Sequence, residues 1–242
     1  MCTLEKRGSI FILTLTGTND EHRLNPPLLD SIKSALARVR SESSSSSTAL
    51  ITTAHGKFFS NGYDLAWAKA ADTNNRLMLM SSKLRSVVTD LISLPMPTIA
   101  AVTGHASAAG CILALSHDYV LMRKDRGFLY MSELDIGLPI IPAWFLEVIQ
   151  SKIGSPAARR DVMLRAKKVT AEKAAEMGVV EAVDGGAEET VRAAVRLGGD
   201  LVGRGWDGHV YGQIRMALFS DLVSVLRVDE KTSDADTIAS RL

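Results

Sequence analysis

Ala101-Val102-Thr103-Gly104-His105-Ala106-Ser107-Ala108-Ala109-Gly110-Cys111 leaves an apolar, strand-like run that begins at Thr98 and passes through small residues into what reads as a helix. Phe58-Phe59-Ser60-Asn61-Gly62-Tyr63-Asp64-Leu65 makes the same passage after the strand-like Ala49-Leu50-Ile51-Thr52-Thr53. The first N–H groups of a helix have no intrahelical partner, so two such handovers can aim two backbone donors at one point. A negative oxygen is stabilised at such a point. The small side chains of the second run also allow close backbone approach.

Working outward, Ile10 to Leu15 is a compact β-prone run, and Leu28 to Val39 places Leu28, Leu29, Ile32, Ala35, Leu36 and Val39 on one helical stripe. Ser41 to Thr48, with serines at 43 to 47, is a polar linker. Asn75 to Leu94 repeats Leu77, Met80, Leu84, Val87, Val88, Leu91 and Ile92 at helical spacings, and Pro95 and Pro97 end it. Tyr119 to Met122 and Gly127 to Tyr130 are further strands, so the recurring unit is strand, strand, helix. From Pro139 the pattern turns helical: Pro142–Ile149, Ser155–Leu164, Thr170–Met177, Ala187–Leu197 and a single last helix over Tyr211–Val228. That last helix carries too many apolar positions to stand free in solvent, and is expected to pack on the core or on a neighbouring subunit.

The 242 residues, 46% hydrophobic and 23% charged, suit one α/β core with a wet surface. A net charge of +1 and 5% aromatics give no support to a nucleic-acid role. Cys2 and Cys111 read as free thiols outside any Cys/His cluster of ligand spacing, so no metal site is expected. Nothing at the N-terminus has the order of a secretory signal, and the apolar stretches are broken well short of a membrane span. The final Ser240-Arg241-Leu242 is a conservative variant of the Ser-Lys-Leu peroxisomal address, carried on the polar stretch Asp229 to Asp236.

On these motifs the chain, from about Phe11 to about Val183, resembles the crotonase (enoyl-CoA hydratase/isomerase) superfamily, and within it the monofunctional Δ3,Δ2-enoyl-CoA isomerases of plant peroxisomes. The resemblance implies an α/β fold, a crotonase-like spiral of ββα units followed by a C-terminal helical region. It divides the chain into a spiral core over 1–183, a helical packing or trimerisation region over 184–232 and a tail over 233–242. It implies an acyl-CoA thioester substrate, a homotrimer or dimer of trimers, a peroxisomal import receptor for the terminal tripeptide, and no cofactor, coenzyme A being part of the substrate.

By the same resemblance the two oxyanion donors fall on the N–H groups of Asn61 and Ala109, and the acid/base carboxylate falls on Glu133, with Asp135 its nearby rival. Where the family often has three glycines this chain has Ala108-Ala109-Gly110, which leaves a backbone donor intact if its φ/ψ is ordinary. Ser60, Gly62, Tyr63, Asp64, Leu65, Gly110 and Leu138 are the expected substrate contacts, and Trp67, Trp144 and Phe145 are candidate pocket residues. Another isomerase branch carries its glutamate a few residues later, but Pro139-Ile140-Ile141-Pro142 holds no acid. The hydratases use a second glutamate at the position of Ile112. Shuttling one proton from C2 to C4 needs one carboxylate, whereas holding and activating water is better served by two. The expectation is therefore an isomerase, with a hydratase or a non-catalytic acyl-CoA-binding subunit as the alternatives. Asp64 reads as a helix cap, His105 as a packing residue, and His22, Arg23 and Lys57 as residues that either approach the CoA phosphates or lie on the surface. Ser60 and Ser107 lack a triad setting.

Overall fold

A computed structural model describes residues 1–43, 47–138 and 141–228. Most of the serine run, Pro139, Ile140 and the tail with Ser240-Arg241-Leu242 lie outside the described residues.

The chain is built from four strand–strand–helix passages. In the first, β1 (Cys2–Arg7) and β2 (Ile10–Leu15) form an antiparallel hairpin, and α1 (Pro26–Glu42) follows. Asn25 caps α1 by accepting from the Leu28 N–H at 3.0 Å, and Pro26 and Pro27 fall where a missing N–H costs nothing. The second passage is β3 (Ala49–Ala54), β4 (Phe58–Ser60), α2 (Leu65–Lys69) and α3 (Thr73–Ile92). The third is β5 (Thr98–Val102), β6 (His105–Ser107) and α4 (Ala109–Leu115), and the fourth β7 (Tyr119–Arg123), β8 (Leu129–Tyr130) and α5 (Ala143–Lys152). Then come α6 (Pro156–Met163), α7 (Ala171–Glu176), β9 (Glu181–Val183), α8 (Ala187–Gly203), α9 (Gly208–Leu218) and α10 (Ser220–Arg227).

The strands sort into two sheets. The larger runs β1-β2-β3-β5-β7-β9 and is parallel from β2 onward, while β4, β6 and β8 form a small, wholly parallel sheet. The first strand of each later passage thus enters the large sheet and the second enters the small one. This is the crotonase-like spiral of ββα units with helices at its C-terminal end. Because both faces of the large sheet are covered, β3 and β5 are buried at every residue, which explains their near-continuous apolar sequence. One face meets the main core with α1 and α3; on the other, Ile51, Ile99, Ala101 and Leu121 pack against Ala194 of α8.

Four elements differ from the sequence reading. β1 was not expected: its exposed Glu5, Lys6 and Arg7 hide the pattern of an edge strand. β4 and β6, read as turns, are strands of three residues, too short to show a period. The last helix breaks at Phe219, whose φ/ψ of −108°/34° ends α9 and lets α10 turn Leu222 and Leu226 into the core.

Candidate active site

The short sheet fixes the site, because its three parallel strands end side by side and each hands over to a turn. β4 gives way to Asn61-Gly62, β6 to Ala108-Ala109, and β8 to Met131-Ser132-Glu133. Gly62 lies against the second turn: a Cβ there would be 3.0 Å from the Ser107 carbonyl oxygen and 3.5 Å from the Ala109 nitrogen. Both motif turns therefore face one space, a cavity of about 300 Å³ lined by Tyr63, Leu65, Ala109, Glu133, Leu138 and Phe145 among others.

Ala109 is the first residue of α4. Its N–H has no acceptor among the described residues, whereas the Ala108 N–H is held by the Tyr130 carbonyl at 2.7 Å. The φ/ψ of Ala109 is helical, but the residue before it is not ordinary: Ala108 sits at φ +49°, ψ −123°. The missing glycine is thus felt one residue before the donor.

The other expected donor is spent elsewhere. The Asn61 N–H donates to the Glu21 carbonyl at 2.8 Å, so it is not directed at a ligand even though Asn61 lines the cavity. Two residues on, the Gly62 carbonyl accepts from Leu24 at 2.8 Å. In a planar trans peptide the C=O and the following N–H point in opposite directions, so the Tyr63 N–H points away from the Leu24 segment.

Glu133 lies in the turn after β8, 6% exposed, and its Oε2 has no hydrogen-bond partner. Burial pushes its pKa above the ordinary carboxylate value. It is the only carboxylate among the described residues lining the cavity. Asp135 points elsewhere and accepts from the Tyr130 hydroxyl. Ile112 is fully buried, so no second acid stands at that position.

Of the remaining expected contacts, Tyr63, Leu65 and Leu138 line the cavity, as does Phe145. Ser60 does not: it is fully buried and its hydroxyl donates to the His22 carbonyl at 2.8 Å. Asp64 caps α2, accepting from the Trp67 N–H at 2.9 Å, and Gly110 packs against Ser60. Gly62 shapes the turn at φ +72°. Trp144 is buried in the core, and Trp67 lies beneath the Arg76 guanidinium. His22 is buried with its ring bonded to the Gly17 N–H and the His55 carbonyl. Arg23 reaches the cavity, while Lys57 lies over the Phe58 ring. His105 packs between Phe58 and Phe128, and burial beside Arg126, Lys57 and Lys168 lowers its pKa. Sequence reasoning missed Tyr130, Ser132, Ile136 and Ile141 as lining residues. Their one available signal was proximity to Glu133. Among the described residues no group of three or more His, Cys, Asp or Glu is placed to hold a metal, and no helix is long and apolar enough to cross a membrane.

A spiral of ββα units whose short strands deliver a helix-start amide and one buried carboxylate to an apolar cavity defines a crotonase-type site. Residues 5–208 match the enoyl-CoA hydratase/isomerase family, and the chain belongs to that family. It is similar to enoyl-CoA delta isomerase 1, peroxisomal, of Arabidopsis thaliana, with 61% identity over 99% of this chain and 98% of that protein. It is likewise similar to enoyl-CoA delta isomerase 2, peroxisomal, of the same plant, with 51% identity over 96% and 97%. Among solved structures, a probable enoyl-CoA hydratase of Mycobacterium tuberculosis H37Rv superposes with a TM-score of 0.83 at 21% identity, covering 99% of this chain and 95% of that one. At that identity the likeness is one of fold.

Proposed function

We infer that this protein is a Δ3,Δ2-enoyl-CoA isomerase that converts cis- or trans-3-enoyl-CoA into trans-2-enoyl-CoA in the β-oxidation of unsaturated fatty acids. Its place is the peroxisome, with support from two relatives that carry that designation. Ser240-Arg241-Leu242 is the address an import receptor would read.

The observation that carries the mechanism is Glu133: one buried carboxylate, its Oε2 without a hydrogen-bond partner, in the same cavity as the helix-start amide of Ala109. The thioester oxygen accepts from the Ala109 N–H and from the Tyr63 N–H, which takes the place first given to Asn61. Glu133 removes a proton from C2, the charge delocalises into a dienolate whose oxygen the two amides hold, and the same carboxyl returns the proton to C4. The double bond moves into conjugation with no net change of atoms. A single donor of this kind is worth about 3 kcal/mol of barrier, so two amides and a desolvated base account for a large rate enhancement. With Ile112 in place of a second acid, Glu133 is the only carboxylate among the described residues of the cavity, and addition of water lacks the second acid/base group that it is better served by.

The subunit self-associates, as a trimer or dimer of trimers. Support comes from α9, whose Val210, Ile214 and Leu218 leave an apolar stripe exposed.

The test follows the conjugated 2-enoyl thioester when wild type and Glu133→Gln meet cis- and trans-3-enoyl-CoA, with 3-hydroxyacyl-CoA assayed in the same tubes. Conjugation that depends on Glu133 and yields no hydroxyacyl product is expected. Near-normal turnover by Glu133→Gln would remove the base, hydration would favour a hydratase, and CoA binding without either reaction would mean a binding subunit.

A further inference from the structure

Glu133 is carried on a turn and not on a strand or a helix. The Ile136 N–H donates to the Ser132 carbonyl at 3.1 Å, Gly137 to Leu134 at 3.3 Å and Leu138 to Glu133 at 2.9 Å. These bonds close the turn on itself without tying it to the sheet. Among the described residues, the side-chain hydrogen bond that does so comes from Tyr130, the last residue of β8, whose hydroxyl donates to Asp135 Oδ2.

Tyr130 is held firmly enough to serve as an anchor. Its ring meets Phe128 edge-on with centroids 5.8 Å apart, and Lys168 Nζ lies 5.2 Å from the ring centre. Its hydroxyl pKa is pushed up to about 12, first by the bond to Asp135 and then by burial, so the group stays a donor at any working pH. The backbone carbonyl of the same residue accepts from the Ala108 N–H, one residue before the helix-start donor. One residue therefore touches both halves of the chemistry: its carbonyl fixes the turn that presents Ala109, and its hydroxyl fixes the turn that presents Glu133. Asp135 is exposed and does not line the cavity, although it lies only two residues from the base.

We propose that Tyr130 is a positioning residue whose hydroxyl, through Asp135, holds the Glu133 turn over the cavity and keeps the Asp135 carboxylate out of it. This rests on Glu133 being the base. A cavity with one carboxylate moves a proton within the substrate, and a second carboxylate swinging in would supply a partner for water. The bond between Tyr130 and Asp135 thus guards the reaction type as well as the geometry.

The titratable and charged groups around Glu133 are Arg23 from the segment before α1 and Tyr63 from the loop after β4, which line the same cavity, Cys111 from α4 and Tyr130 from β8, whose pKa values its carboxylate raises, and Asp135, two residues on along its own turn and outside the cavity. None of the charged ones sets its titration, which is governed by burial. Loosening the turn admits water and moves the Glu133 pKa down, so the acid limb of kcat shifts to lower pH. A defect confined to stability would leave that limb in place.

The experiment measures kcat and KM against pH for the full chain and for Tyr130→Phe, Asp135→Leu, Asp135→Asn and Glu133→Gln, with thermal melts alongside. Tyr130→Phe and Asp135→Leu are expected to lose about 10- to 100-fold in kcat with KM nearly unchanged, the loss that misplacing a reacting group brings, and to show the shifted acid limb. Asp135→Asn, whose amide oxygen still accepts from the hydroxyl, keeps most of the rate. Wild-type kcat in Tyr130→Phe, a loss confined to KM, or Asp135→Asn as damaged as Asp135→Leu would each overturn the proposal. Glu133→Gln separates the two readings: if it is inactive while Tyr130→Phe is normal, only the positioning role fails, and if it is active, the base assignment fails with it.

Discussion

A Cβ placed on Gly110 would stand 2.3 Å from the carbonyl oxygen of Ser60, closer than side-chain atoms come to backbone oxygens. The backbone that starts α4 is therefore pressed against the end of β4, and the two turns that frame the cavity are held at a fixed distance by bare main chain. Gly110→Ala has no flexible neighbour to displace. It is expected to abolish isomerase activity and lower the melting temperature sharply. Gly199→Ala in α8, where a Cβ meets nothing within 4 Å, is the control and should gain up to about 1 kcal/mol from helix propensity. Equal melting curves for the two variants would contradict the contact.

That contact also shows how far the sequence could be read. The strand-to-helix handovers at Asn61 and Ala109 were visible because glycine and small residues follow apolar runs, and Glu133 stood out as an acid among apolar neighbours. The direction of a single amide was not visible. Whether Asn61 or Tyr63 points inward depends on Glu21 and Leu24, some forty residues earlier in the chain, taking up the N–H of one and the carbonyl before the other. Ser60 was misread for a similar reason, since only the fold brings the His22 carbonyl to its hydroxyl. The break at Phe219 left no trace because the apolar positions on either side continue at helical spacing.

Ala108 occupies a conformation that favours glycine, at φ +49° and ψ −123°. Non-glycine residues in such regions cost about 1–3 kcal/mol each. Ala108→Gly is expected to relieve this strain by more than it adds in unfolded-state entropy, raising stability by about 1 kcal/mol with the Ala109 donor undisturbed and kcat within about twofold of wild type. Chemical denaturation midpoints and steady-state rates check both halves. A destabilised Ala108→Gly would mean that the observed φ costs nothing.

His117 is fully buried, its ring bonded to the Leu113 carbonyl at 3.0 Å and to the Thr52 hydroxyl at 2.8 Å, and burial drives its pKa from 6.5 to about 4. The folded pKa lies below the unfolded one, so in this window the unfolded chain binds the proton first. The contribution is present above pH 6.5 and is lost as pH falls toward 4, by about 3 kcal/mol in all. Urea midpoints measured across this window should fall on acidification in wild type and fall much less in His117→Gln. Parallel curves would assign the acid sensitivity to other groups.

Arg215 joins α9 to the end of α3. Its guanidinium donates to the carbonyls of Leu91 at 3.0 Å, Ile92 at 3.2 Å and Leu94 at 3.1 Å, also to Met96, and it pairs with Asp118 at 2.8 Å. The carbonyls at the end of a helix lack intrahelical donors, and here one side chain supplies them. Arg215→Ala would take this donor from the Ile92, Leu94 and Met96 oxygens and leave the Asp118 carboxylate without its counter-charge, held among the described residues only by Thr98 and Tyr211, a loss of about 3–5 kcal/mol. Arg215→Lys, with a point charge where a planar fork is needed, should recover only part of this. A denaturation midpoint for Arg215→Ala within error of wild type would show that water fills the role.

The opposite face of the same helix turns outward. Val210, Ile214 and Leu218 recur every fourth residue at 53%, 65% and 72% exposure, and Trp206 extends the stripe at 42%. They flank a groove of about 520 Å³ that also reaches Tyr211 and Phe219. A continuous apolar stripe of this kind on a well-anchored helix is costly in water unless another surface covers it. In the self-association proposed above the cover is a second copy of the chain, so an Ile214→Glu, Leu218→Glu double variant is expected to sediment near the subunit mass of 26.1 kDa while wild type sediments as a trimer or larger. Because Arg215 anchors the inward face independently, the variant should keep its fold by circular dichroism. Wild type sedimenting at the subunit mass at micromolar concentration would refute the assembly and leave the stripe for a different partner.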